Sequence, residues 1–346
     1  MGLDQELPTS QIATLLAQNY QIDWSLRSLQ RYLGELESIE FLSKVNQDNQ
    51  SKNFFKITSL GRLVLDPGQR LISDDRLDSK FGFKGRFGFN FELLDTLQNP
   101  ELINQYLFTQ IELDELNDIT KDYQKKLSQN QLVKKEFERI IVEFSWKSSQ
   151  IEGNTYSLLE TEELLKGSLD FPNHTAGETD MILNHKKAFN FVQKNRQIFL
   201  TNLMPTNIIE LHGIITKNLN INKGLRKHSV GISGSMFRPL DNLFVIQDSM
   251  DFLCQIINKN PNPYAKAFLV SLLIAYIQPF EDGNKRTARI LCNAILYSND
   301  LPMLPFRSVN IIEYKKAVIS FYEYNSIKLY KDLFLEQIRY CVQNYF

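Results

Sequence analysis

Gln278-Pro-Phe-Glu-Asp-Gly-Asn-Lys-Arg-Thr-Ala-Arg289 concentrates more chemistry than any other stretch of this chain. An apolar run, Ala265–Ile277, predicts a buried helix that ends in a proline-containing loop, and a second helix is expected to begin near Gly283. Glycine allows the tight backbone turn required there, and the first amides of the new helix have no intrahelical partners. Those amides and the positive end of the helix dipole make an anion site. Arg286 and Arg289 recur one turn apart, so both guanidinium groups serve one side of the helix. Asp282 stands at the helix entrance, where a carboxylate could hold a Mg²⁺ bridging phosphate oxygens. Phe280 is expected to anchor the loop in the core. This combination predicts a nucleotide-phosphate site, with Gly283, Asn284, Lys285, Arg286 and Arg289 toward the phosphates and Asp282 toward the metal. The plainer alternative is a capped helix carrying surface arginines.

The same stretch resembles the signature of the Fic family, His-x-Phe-x-Asp/Glu-Gly-Asn-Gly-Arg-x-x-Arg. Phe280, Asp282, Gly283, Asn284, Arg286 and Arg289 fill six of its eight specified positions. The resemblance, spanning about residues 144–330, implies a mainly α fold, a helical bundle with a β-hairpin flap. It also implies ATP and Mg²⁺ as cofactors, and a protein target whose Ser, Thr or Tyr hydroxyl attacks the α-phosphate and takes up AMP. Gly231-Ile232-Ser233-Gly234 and the residues after it resemble the flap that docks the target by strand addition. Ser148-Ser-Gln-Ile-Glu152-Gly153 resembles the family's inhibitory motif, Ser/Thr-x-x-x-Glu-Gly/Asn. That resemblance implies that Glu152 pairs with Arg289 and occupies the guanidinium that otherwise holds the γ-phosphate. Without it, Glu152 capping a local turn with Gly153 is the simpler reading.

Two residues depart from the signature. Gln278 occupies the place of the catalytic histidine, and an amide cannot accept a proton at neutral pH, although it can orient a nucleophile. Losing general-base assistance costs about 10²–10⁴ in rate. Lys285 occupies the place of a glycine; relatives with lysine here include a subclass that transfers the γ-phosphate, so phosphotransfer joins AMP transfer as an outcome. The sequence thus supports two functions. One is a Fic-type transferase restrained by Glu152; the other is a degenerate Fic fold that senses ATP and passes its occupancy to a DNA-binding unit, as in a transcriptional regulator or toxin–antitoxin switch. His174, His185, His212 and His228 show neither metal-ligand spacing nor a place to replace the missing base.

That unit is expected at residues 1–72. Thr9 or Ser10 can cap a first helix, and Asp23 or Ser25 a second one with Leu26, Leu29, Leu33 and Leu36 inward and Tyr32 beside them. Phe41-Leu42 and Phe54–Ile57 read as short strands around a polar loop, Asn46–Asn53, before a last short helix from Thr58. This is the order of a winged helix-turn-helix. Arg27, Ser28, Gln30 and Arg31 face outward as candidate DNA contacts, although residues 1–72 hold seven Lys/Arg against eight Asp/Glu, and a protein-docking winged helix fits equally well.

A connector, 73–115, follows the turn Asp66-Pro67-Gly68 and includes Phe81–Phe89, whose phenylalanines are expected to pack on a neighbouring domain. The helical Fic domain occupies 116–346, with its inhibitory helix near 140–153. A net charge of -1 gives no global field toward nucleic acid or membrane. The most apolar run, Leu269–Ile277, is too short to span a bilayer, and the first residues do not resemble a signal peptide. Cys254, Cys292 and Cys341 sit in apolar patterns as buried free thiols. A cytoplasmic protein without membrane contact is expected, and the sequence is compatible with a homo-oligomer.

Overall fold

The computed structural model describes residues 6–20, 24–45, 53–64, 87–127, 132–167 and 171–345. Residues 46–52, 65–86 and Asp23 lie outside the described residues, and with them most of the expected polar loop, the Asp66–Gly68 turn and Phe81.

The N-terminal elements are β1 (Leu7–Pro8), α1 (Thr9–Tyr20), α2 (Leu26–Ser38), β2 (Leu42–Val45), β3 (Phe54–Ile57) and α3 (Ser59–Val64). β3 lies between the other two strands in an antiparallel sheet, with Leu7 opposite Phe55 and Leu42 opposite Ile57. β1 has no counterpart in the sequence reading, because two residues carry no alternation; Pro8 is tolerated there on an edge strand. Ser25 caps α2, its Oγ accepting the Ser28 amide at 3.1 Å. Leu29 and Leu33 form a small core with Phe55, Ile12 and Leu16. Leu26, Leu36 and Tyr32, expected inward, are 55%, 37% and 38% exposed. Periodicity gave the correct stripe, but the small core covers only its middle. Tyr32 stacks instead on Trp24, ring centres 4.6 Å apart.

α3 turns away from that cluster, and Leu60 and Leu63 join the large core of the helical body. That body comprises α4 (Phe91–Thr96), α5 (Pro100–Leu107), α6 (Gln110–Leu127), α7 (Leu132–Ile151), α8 (Leu158–Lys166), α9 (Ala176–Lys194), α10 (Arg196–Thr201), α11 (Pro205–Ile215), α12 (Leu243–Lys259), α13 (Pro263–Ile277), α14 (Asn284–Ser298), α15 (Ile311–Tyr324) and α16 (Lys328–Tyr345). α13 is apolar around most of its circumference, with Lys266 near its start the exception, as suits a helix at the centre of a bundle. Asn262 caps it and Pro263 occupies its first turn, where a missing N–H costs nothing. α14 packs along α13 and is flanked by α7, α9, α10 and α11. From the connector, Phe87 and Phe89 pack against this core, Phe89 stacking on Tyr276 at 4.6 Å. The three cysteines are free and buried. No helix among the described residues is long and apolar enough to cross a membrane.

Candidate nucleotide-phosphate site

The loop between α13 and α14 is tied down from within. Gln278 ends α13 in the left-handed region, at φ 51°, a conformation that costs a non-glycine residue about 1–2 kcal/mol. Its side chain offsets that cost: Nε2 donates to the Ala275 carbonyl at 2.6 Å, and Oε1 accepts from Asn284 Nδ2 at 3.0 Å. Asn284 also donates to the Phe280 carbonyl at 2.8 Å and accepts the Phe280 amide at 2.9 Å. The asparagine expected at the phosphates therefore acts as the clasp of the loop. Phe280 is fully buried and lies flat on His212, ring centres 3.7 Å apart. His212 Nε2–H donates to the Asp282 carbonyl at 2.9 Å. Gly283 follows at φ 81°, and a Cβ there would come within 2.9 Å of Thr216 Cγ2. Only glycine fits this corner.

α14 leaves this corner with no side chain capping its first amides. Arg286 is nearly fully buried, and its Nη1 has no acceptor, while Nη2 donates to Asp282 Oδ2 at 3.1 Å. An uncapped helix start beside an orphaned guanidinium nitrogen is a donor set that lacks its anion, and a phosphate group suits it. The Asp282 side chain is 71% exposed at the entrance, as a hard oxygen ligand for a Mg²⁺ shared with phosphates would need to be. Among the described residues no group of three or more His, Cys, Asp or Glu is placed to hold a metal. A Mg²⁺ that keeps its waters and phosphate ligands needs only one or two carboxylates.

Glu152 closes the site from the other side. α7 ends at Ile151, and Gly153 in the left-handed region, at φ 95°, lets the Asn154 amide return to the Ser149 carbonyl at 3.1 Å. This turn points the Glu152 carboxylate at α14. Oε1 lies 2.9 Å from Arg289 Nη2, and Oε2 lies 3.4 Å from Lys285 Nζ. Burial would raise the Glu152 pKa, but the Arg289, Lys285 and Arg286 charges outweigh it and bring it down to about 2. A carboxylate at a helix C-terminus faces the negative end of its own dipole. The cations of α14, not the local turn, hold it ionised.

Arg289 is fully buried and saturated: Nε and Nη2 donate to the Ser148 hydroxyl and carbonyl, each at 3.0 Å, and Nη1 donates to the Tyr314 hydroxyl at 3.1 Å. The Ser148 hydroxyl lies 3.0 Å from His185 Nε2, while His185 Nδ1 faces the Met181 carbonyl at 2.8 Å. Burial, above the other influences, pushes His185 down to about 3 and His212 to about 4, so both rings are neutral at pH 7.

The flap residues form the remaining wall. Val230, Gly231, Ile232 and Ser233 line a cavity of about 190 Å³ with Glu152, Gln278, Tyr322 and the 281–286 segment. Gly234, at φ 79°, makes the turn in which the Ser235 amide bonds the Ile232 carbonyl at 3.2 Å. Among the described residues no strand pairs with 230–234; the nearby pairing is the Phe87–Phe237 bridge. Small-molecule sites are typically about 300–1,000 Å³, so the cavity with Glu152 in place falls short of a whole nucleotide.

The sequence reading missed two residues that set this wall. Arg226, fully buried, donates from Nε to the Gln278 carbonyl at 2.6 Å, from Nη1 to the His228 carbonyl at 2.8 Å, and from Nη2 to the Leu240 carbonyl. It therefore ties both ends of the flap to the motif loop. Glu323 accepts the Ser235 hydroxyl and the Met236 amide, each at 2.9 Å. Arg27, Gln30 and Arg31 are exposed on α2 and Ser28 is half-buried; none lines the cavity, and Arg31 lies 3.7 Å from Glu35.

Residues 202–296 match the model of the Fic/DOC family, so the chain carries a Fic/DOC domain whose matched segment holds the 278–289 motif and the 230–234 wall, while Glu152 and Tyr322 lie outside it. Over 161 residues, 44% of the chain, it is 25% identical to protein adenylyltransferase fic-1 of Caenorhabditis elegans. Over 165 residues, 47% of the chain, it is 27% identical to protein adenylyltransferase Fic of Nematostella vectensis. The matched segments span 31% and 39% of those relatives. Among solved structures, Fic-1 (residues 134–508) of C. elegans superposes with a TM-score of 0.59 at 18% identity, over 73% of this chain and 82% of that one. A Fic-domain signalling protein of Bacteroides thetaiotaomicron superposes with a TM-score of 0.53 at 21% identity, over 67% and 92%. The fold is mainly helical and of the Fic type.

Proposed function

We propose that this chain is a Fic-type, adenylyltransferase-like protein that binds Mg–ATP and is held at rest by Glu152. The observation that carries the proposal is the Glu152 carboxylate lying across Arg289 and Lys285, beside the orphaned Arg286 Nη1. Once Glu152 withdraws, the α14 amides, Arg286 and Arg289 hold phosphates, and Asp282 would hold Mg²⁺, which supplies charge neutralisation on them. A target protein's backbone adds to the free edge at Gly231–Gly234 and brings its Ser, Thr or Tyr hydroxyl toward position 278. Both ends of the Gln278 amide are engaged within the loop, so it takes no proton, and transfer runs about 10²–10⁴ slower than with a base.

The test compares Glu152→Gly with Glu152→Gly/Gln278→His. Both are expected to bind Mg–ATP by calorimetry. The double variant is expected to leave AMP on itself or on added protein by mass spectrometry, with far less from the single one. An adduct with the mass of phosphate would replace AMP transfer by phosphotransfer, the outcome Lys285 leaves open. Absence of Mg–ATP binding by both would refute the proposal.

A second reading, an ATP sensor that signals through the N-terminal unit, is favoured by one observation. Within a few residues, the end of α15 gives Tyr322 to the cavity and Glu323 to the flap. Just beyond it, Asn325 bonds Asn90 at 2.8 Å, and the Ile327 amide bonds the Leu63 carbonyl of α3 at 3.1 Å. Mg–ATP bound to Glu152→Gly would then alter amide exchange in α3, and unchanged exchange would discard this reading. DNA as the output calls for salt-dependent retention that Arg27→Ala/Arg31→Ala abolishes.

A further inference from the structure

We propose that Lys285 is a two-position residue: at rest it latches Glu152, and when Glu152 leaves it passes to the phosphate that takes the carboxylate's place. This rests on the nucleotide-site reading above and deepens it by naming what sets the strength of the restraint. Each oxygen of the Glu152 carboxylate has its own cation, Oε1 with Arg289 at 2.9 Å and Oε2 with Lys285 at 3.4 Å. The two cations differ in kind. Arg289 is fully buried and fixed by Ser148 and Tyr314, whereas the Lys285 side chain is 35% exposed on a long, unbranched stem.

Both partners of the latch sit at the unfavourable end of their own helix. Glu152 follows the C-terminus of α7, where the dipole disfavours an anion. Lys285 is the second residue of α14, where the dipole disfavours a cation. Each therefore compensates the other, and losing either leaves a charge against a dipole. When Glu152 withdraws, Lys285 and Arg289 lose the anion they share, beside a cavity also lined by Arg286 and the start of α14. A phosphate that replaces the carboxylate on Arg289 comes within reach of Lys285, since one carboxylate already spans both. The same ammonium thus opposes nucleotide entry while Glu152 is seated and favours nucleotide once it has left.

These opposite signs make the proposal testable by a double-mutant cycle on Mg–ATP affinity, measured by calorimetry on the full chain as it stands, Lys285→Met, Glu152→Gly and the double variant. In the Glu152→Gly background, Lys285→Met is expected to weaken Mg–ATP about twofold to fivefold, as for a partly exposed ion pair. With Glu152 present, the weakened latch offsets the lost contact, so affinity stays level or rises. Lys285→Arg retains the charge and is expected to restore the non-additivity. An equal effect of Lys285→Met in both backgrounds would overturn the latch while leaving the nucleotide site standing. Absence of Mg–ATP binding to Glu152→Gly would overturn the site and the latch together.

Discussion

Replacing Glu152 with glycine should tighten Mg–ATP binding by about 10- to 100-fold. The upper figure follows from the ionisation of the carboxyl. Holding its pKa at about 2, well below the ordinary carboxylate range, corresponds to about 3 kcal/mol of preference for the charged form, at ~1.36 kcal/mol per tenfold. The side chain is only 17% exposed, so solvent screening does little to reduce that figure. A phosphate entering on Arg289 must first displace this carboxylate, and about 3 kcal/mol is on the order of 100-fold in affinity. The lower figure allows for partial recovery of Glu152 by water after displacement. Calorimetry on the full chain, on Glu152→Gly and on Glu152→Gln separates charge from bulk, because glutamine keeps the size and loses the anion. Thermal unfolding adds an opposite-signed check. Without nucleotide, Glu152→Gly should melt lower, since the buried Arg289 loses its counter-charge. With Mg–ATP at about 100 times its Kd, about 2.7 kcal/mol returns through binding. Equal affinities for all three proteins would refute the reasoning. Tight binding by glycine but not by glutamine would show that the obstacle is steric and not electrostatic.

Three further predictions test the groundwork of the site. Gly283→Ala should lose about 2–4 kcal/mol of stability by denaturant unfolding, together with Mg–ATP binding, from its φ of 81° and a Cβ 2.9 Å from Thr216 Cγ2. Gly153→Ala, at φ 95° with nothing within 4 Å, should lose only the backbone cost of about 1–2 kcal/mol. Between pH 7 and pH 5 the folded protein should lose about 2 kcal/mol for each of His185 and His212. Their folded pKa values, about 3 and about 4, lie below the ordinary 6.5, so only the unfolded chain takes up protons in this window. Their contribution is complete above pH 6.5 and falls as pH drops toward the folded values. Urea unfolding at the two pH values checks this, and a His185→Gln variant should show roughly half the slope. Glu152 adds no slope there, because its stabilisation is lost only below about 4.5.

What the sequence made legible is what the backbone decides locally. The glycine corner, the arginines one turn apart and the largely apolar α13 follow from helix geometry alone, and the structure places them as expected. Pairing Glu152 with Arg289, 137 residues apart, came from the family resemblance and not from periodicity. Long-range partners without such a pattern stayed hidden. Arg226 reads as one more basic residue before a loop, yet it reaches three carbonyls, one of them 52 residues away. Glu323 reads as a helix-face carboxylate, yet it holds the flap from 88 residues away. Asn284 was visible, but its direction was not: whether an amide side chain faces a ligand or its own loop depends on the path of the loop from 278 to 283. Leu26 and Leu36 show the complementary limit, since a stripe identifies a face without saying how much of it a neighbour covers. The departures from the signature belong together for the same reason. Gln278 and Lys285 look like isolated substitutions, but in space one is clasped by Asn284 and the other faces Glu152, and both line one cavity. Position 278 gives up proton transfer while position 285 adds a charge against the restraining carboxylate. That pairing favours a site whose regulated event is the entry of nucleotide more than its turnover.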